Sequence, residues 1–175
     1  MTWHALPTYV NGALTAAMLN DIADNIEETA PGKATTAGRI FVATGTNAIA
    51  EREIASNVVS GADTTTSTSY VDLSPSGPAV TVTTGVLALV HTASQANNTT
   101  AGASSRHSFA VSGATTSAAA DARGCLSQNS ASRDTRYGVW NLMTLTGGSN
   151  TFTGKYKVSS GTGHWQDREQ IVIAL

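Results

Sequence analysis

Between Gly147 and Val158 the sequence runs GGSNTFTGKYKV, and its alternation limits the fold more than any other stretch. Phe152, Gly154, Tyr156 and Val158 fall on one side at period two, with Thr153, Lys155 and Lys157 on the other. That is the pattern of a strand with one dry and one wet face. Related apolar runs occur at Val80 and Val82, over residues 86–90, at Phe109 and Val111, at Val139, Met143 and Leu145, and at Ile171, Ile173 and Leu175. Gly and Ser/Thr clusters such as Thr83-Thr84-Gly85 and Ser112-Gly113 separate them, as turns separate strands. The spacing predicts a mainly β chain with a C-terminal antiparallel β-sandwich of the jelly-roll kind. The apolar C-terminus is expected as a strand inside the sheet system. Residues 92–105, TASQANNTTAGASS, are small and polar and read as a long loop. The alanine-rich stretch 115–122 is the place for a short helix.

The chain ahead of the sandwich reads differently. Thr15 is a candidate N-cap for AAMLNDIADNIEE, which gives a helix over about residues 15–28. Leu19, Ile22 and Ile26 recur at spacings of three and four, so they form one stripe. A helix this short is marginal alone, so the stripe needs cover from sister helices or another protein. Trp3, Leu6, Tyr9 and Val10 gather aromatic and aliphatic side chains in an extended piece around Pro7. Trp and Tyr are enriched at binding hot spots, so these four read as anchor residues for a partner. Pro31-Gly32 is expected to stop the helix. Next comes the connector, in which Ile40 and Val42 share one strand face and Phe41 takes the other, so both faces need packing. The expected organisation is an anchor with one helix over residues 1–31, a connector over 32–60 and the β head over 61–175.

Composition narrows the function classes. Charged residues make up 13% of the chain, against about 25% in an average soluble domain, so the surface must be built from hydroxyls, amides and glycine. Net charge is -2 with no basic block, which argues against a nucleic-acid footprint. No apolar run reaches the length of a membrane span, and MTWHALPTYV lacks the charged and apolar regions of a secretion signal. Gly32-Lys33 hints at a phosphate loop, but Glu27 stands where that motif needs glycine and Ala34 where it needs a hydroxyl. The lone Cys125 reads as a small buried hydrophobe. His91 and His107 could meet across strands with Asp121 or Asp134, but scattered strand histidines are more often rim residues, so no metal and no cofactor is expected. Asp167, Arg168 and Glu169 read as local ion-pairing residues near a strand entrance or subunit boundary. Carboxylates concentrate outside the β part, so no catalytic residues are expected and the chain does not read as an enzyme. Asn97, Asn98, Thr99 and Thr100 form a polar loop suited to a sugar or a neighbouring subunit.

Taken together, TWHALPTYVNGALTAAMLNDIADNIEE resembles the start of tailed-bacteriophage virion proteins, especially fibre-like minor tail and head-fibre proteins of phages of actinobacteria. Its Gly12-Ala13-Leu14-Thr15-Ala16 step matches their entry into a helix rich in Leu, Asn and Asp. AGRIFVATGTNAIAER resembles their connector. TTTSTSYVDLSPSGPAVTV, FAVSGATT, GGSNTFTGKYKV and DREQIVIAL resemble their trimeric jelly-roll heads, similar in outline to tumour-necrosis-factor or C1q heads. The resemblance implies a homotrimer on the virion surface, assembled in the host cytoplasm. Its N-terminal part would be mounted on other virion proteins of capsid or tail, with the head outward. The absence of shaft repeats favours a short fibre or decoration spike. The alternative is a receptor- or glycan-binding module of the tail that contacts the host cell surface. Neither reading involves nucleic acid or a membrane.

Overall fold

A computed structural model of the chain describes residues 15–27, 33–46, 48–128 and 135–175. It divides into two compact units, Met1–Arg52 and Glu53–Leu175. In the first, helix α1 spans Ala16–Glu27, and the Met18 amide donates to the Thr15 hydroxyl at 3.3 Å, as the N-cap reading requires. Strands β1 (Ile40–Gly45) and β2 (Ala48–Arg52) form an antiparallel hairpin. Thr35 donates to Glu51 from its amide and its hydroxyl at 2.7 and 2.6 Å. The hydroxyl bond leads in holding that carboxyl below its usual range. Pro31 and Gly32, and the anchor residues Trp3, Leu6, Tyr9 and Val10, lie outside the described residues.

The second unit is the jelly-roll sandwich. Its strands are β3 (Ile54–Val59), β4 (Asp63–Thr65), β5 (Ala79–Thr84), β6 (Leu87–Asn98), β7 (Ser105–Gly113), β8 (Cys125–Ser127), β9 (Thr135–Thr144), β10 (Gly148–Val158) and β11 (Gly163–Ala174). One sheet has the order β5-β10-β7-β8 and the other β3-β11-β6-β9, with β4 also pairing β11. Every pairing is antiparallel. The chain crosses between sheets at β4–β5, β5–β6, β6–β7, β8–β9, β9–β10 and β10–β11, which wraps the sandwich around itself. Residues 54–59, expected in the connector, pair with β11 and belong to the sandwich.

Two apolar clusters fill the space between the sheets. One joins Val80, Val82, Val90, Phe109, Val111, Phe152 and Val172; the other joins Leu73, Ala96, Tyr156, Val158 and Trp165. Along β6 the buried Thr92 and Ser94 separate Val90 of the first cluster from Ala96 of the second. Residues 92–98 are therefore strand, not the loop their composition suggests. Their inward positions are small because β10 of the facing sheet supplies Tyr156 and the neighbouring β11 supplies Trp165, whose rings meet edge-on at 5.4 Å. The alanine-rich stretch yields only a short 3-10 turn, Asp121–Arg123.

Strand β11 carries an irregularity with large consequences. Gln166 pairs with Gln95 but Glu169 pairs with Ala93, so β11 has one extra residue at that point. Asp167 absorbs the bend at φ 47°, a left-handed conformation that Asp tolerates better than most residues. Trp165 points inward before the bulge; Arg168, Gln170, Val172 and Ala174 point inward after it. The half-buried Ile171, Ile173 and Leu175 consequently face outward, because one added residue exchanges the two faces of a strand.

Candidate functional site

The outward face of the β3-β11-β6-β9 sheet is where the sandwich departs from an ordinary soluble surface. Its register sets four rows of side chains side by side. Leu175 and Leu87 meet through the Leu175 amide, which donates to the Leu87 carbonyl at 3.0 Å. The next row crosses the whole sheet as Ile54, Ile173, Leu89 and Leu142. The third is Ser56, Ile171, His91 and Trp140, and the fourth Val58, Glu169, Ala93 and Gly138. Leu142 is 64%, Val58 57%, Trp140 50% and Ile54 48% exposed. Contiguous exposed apolar surface of this kind marks an interaction site in a soluble protein.

Local packing holds this face in shape. The His91 and Trp140 rings lie 4.5 Å apart. Gly138 makes room for the imidazole, since a Cβ there would come within 2.7 Å of His91 Nε2. At the polar end Arg136 donates to Glu169 at 2.6 Å, so the one carboxylate in the fourth row is matched on the same sheet.

Beneath the face lies a polar layer that sequence reasoning misplaced. Arg168, expected in local ion pairing near a strand entrance or subunit boundary, is completely buried and donates to carbonyls instead. Its guanidinium stands 5.4 Å from the Tyr156 ring and donates to the carbonyls of Pro75 and Gly77 at 3.2 and 3.5 Å and of Gly61 at 3.4 Å. The bulge turns it inward; only a positive-φ residue just before it could have signalled that. His107 stacks on Tyr156 at 4.5 Å. Burial above all, and then the Arg168 charge, push the His107 imidazole down to about 3, so it is neutral. Burial likewise raises the Tyr156 and Tyr137 phenols above their ordinary value and pushes the Cys125 thiol up to about 12. Cys125 is buried, with its Sγ 3.4 Å from the His107 carbonyl.

The candidate residues separate as follows. Leu19, Ile22 and Ile26 are exposed along α1 in the single chain, and Phe41 is exposed between the half-covered Ile40 and Val42. Asn98 is buried: its amide donates to Ser105 and the Ser160 carbonyl, and its Oδ1 accepts from the Thr100 amide. Thr99 and Thr162 exchange two hydrogen bonds at 3.0 Å. Asn98, Thr99 and Thr100 thus tie the β6–β7 and β10–β11 turns together, whereas Asn97 points to the outer face beside His164. His91 and His107 are not brought together, since one lies on the outer face and the other in the core. Among the described residues no group of three or more His, Cys, Asp or Glu is arranged to hold a metal ion. Asp134 lies outside them. Asp121 sits on the opposite sheet, where Lys157 at 2.7 Å leads in lowering its carboxyl, with help from the Tyr70 hydroxyl at 3.0 Å.

No family model matches this chain, and no curated protein sequence matches it. Among solved structures it is similar to Eiger TNF from S. frugiperda, at 10% identity and a TM-score of 0.47, over 71% of this chain and 92% of that one.

Proposed function

We propose that this chain is a structural virion protein of a tailed phage, a homotrimeric short fibre or decoration spike. Its N-terminal unit mounts it on capsid or tail and its sandwich is displayed outward. The observation that supports self-association is the apolar outer face of the β3-β11-β6-β9 sheet, crossed by Ile54, Ile173, Leu89 and Leu142. The exposed Leu19, Ile22 and Ile26 stripe of α1 is a second apolar surface, in a separate unit. Covering both by copies of the same chain satisfies them with one partner, and a ring of copies closes on itself without leaving an open end. The number three and the phage setting rest on the sequence resemblance alone.

Sedimentation equilibrium of the whole chain tests the association. A mass three times the 17.9 kDa of the chain is expected, and a monomer at high concentration overturns the reading. A label fused at Leu175, imaged on intact particles, tests the setting. Density at the particle surface is expected, and particles carrying none of the protein overturn it.

A further inference from the structure

The polar end of the same sheet face holds a cavity of about 170 Å³, lined by Ala62, Gln95, Asn97, His164, Trp165 and Gln166. Gln95 and Asn97 come from β6, and each faces its β11 partner, Gln166 and His164 respectively. Four polar side chains, three amides and an imidazole, therefore converge from two adjacent strands. Trp165 also borders the cavity, while its ring points into the core. The bulge that follows Gln166 locally breaks the ladder here, and bulges often re-aim side chains beside binding sites.

We infer that this cavity binds one ring of a neutral saccharide. The lining holds three primary amides and an imidazole, with no carboxylate, ammonium or guanidinium among them. A primary amide carries an acceptor oxygen and two donor hydrogens fixed in one plane. That set matches neighbouring hydroxyls, each of which donates and accepts, better than it matches a phosphate or an ammonium group. The volume lies below the roughly 300–1,000 Å³ of sites for drug-sized ligands, which suits a single ring. Counted from Leu87, the large exposed side chains of the face, Ile54, Leu142, Trp140 and Val58, extend to the Val58–Gly138 row. Gln95 and Asn97 lie past that row, so a partner covering the apolar rows need not cover the cavity. The inference does not depend on the virion reading. It gives the head a carbohydrate-recognising role in any setting.

Protein-observed NMR of the whole chain, titrated separately with glucose, galactose, rhamnose and N-acetylglucosamine, tests it. At least one sugar should shift the Gln95, Asn97, His164 and Gln166 signals saturably in the millimolar range. Gln95→Ala and His164→Ala, both at exposed or half-exposed positions, should each weaken that binding about tenfold, as the loss of one hydrogen bond predicts, without changing the thermal midpoint. The absence of saturable shifts with all four sugars overturns the inference, as does unchanged affinity in both variants. Inorganic phosphate should leave these signals unmoved; phosphate binding at the same residues overturns the neutral-ligand assignment.

Discussion

The two outward faces of the sandwich are finished in opposite ways. On the β5-β10-β7-β8 sheet, Ser149, Thr151, Thr153, Lys155 and Lys157 line up along β10. Thr151 shares a 2.8 Å hydrogen bond with Thr81, Lys155 pairs with Asp72 at 2.7 Å, and Lys157 pairs with Asp121 while lying 4.8 Å from the Tyr70 ring. That face satisfies its polar groups within the chain and with water. On the β3-β11-β6-β9 sheet the same alternation presents Leu, Ile, Val and Trp instead. A sheet needs only one dry face to build a sandwich, so the exposed part of the second apolar face is not required to fold the single chain. Its side chains make sense if something covers them.

Deleting Asp167 attacks this contrast most directly. Without the extra residue, β11 must either exchange its faces beyond Gln166 or lose its pairing with β6. The expected result is loss of cooperative thermal unfolding, and a native-like transition would mean that the bulge does not set the phase. A smaller effect is expected from Leu142→Asp combined with Trp140→Asp. Each buried interface anchor of this type is worth about 2 kcal/mol or more, so the pair should dissociate the proposed assembly in sedimentation while each chain stays folded. Thr151→Asp on the opposite sheet should leave the assembled mass unchanged; equal dissociation by both changes would erase the distinction between the faces.

The core beneath the apolar face should show in the pH dependence. The folded His107 stays neutral down to about 3, whereas an unfolded histidine takes up its proton near the ordinary 6.5. Between those values the unfolded chain binds more protons, so stability falls as pH is lowered through that window. His107→Gln should flatten the slope of stability against pH between about 6.5 and 4.5, where carboxylates contribute little; an unchanged slope would show that His107 protonates freely in the folded state. The smallest change belongs to the polar face. Lys155→Ala breaks a half-exposed ion pair and should cost less than about 1 kcal/mol in chemical denaturation. A larger loss would mean that this face also carries structure-bearing contacts.

Legibility in the sequence followed local rules. Thr15 as N-cap, the α1 stripe, the inward Phe152, Tyr156 and Val158, and the Phe109–Val111 pair could all be read because capping and period-two alternation are properties of neighbouring residues. Residues 92–98 escaped because their small inward side chains suit a strand only where large rings, Tyr156 from the facing sheet and Trp165 from the neighbouring β11, fill the space beside them. Arg168 escaped because its surroundings are the carbonyls of Gly61, Pro75 and Gly77, far away in the chain. Of the candidate loop, Asn97 lies on the outer face, while Asn98, Thr99 and Thr100 hold turns together. No local pattern separates those two roles.

The sequence by itself determined a low-charge chain with a capped helix, a connector with an apolar strand and a set of antiparallel strands, because each of these follows from spacing along the backbone. The tertiary structure decided which side of each strand is inside. Ile171, Ile173 and Leu175 form a plain apolar alternation in sequence, equally suited to the core. One residue at positive φ, Asp167, shifts the phase so that Val172 and Ala174 enter the core and the isoleucines face outward. A strand has two faces and no intrinsic preference between them, so that choice is made by register with its neighbours.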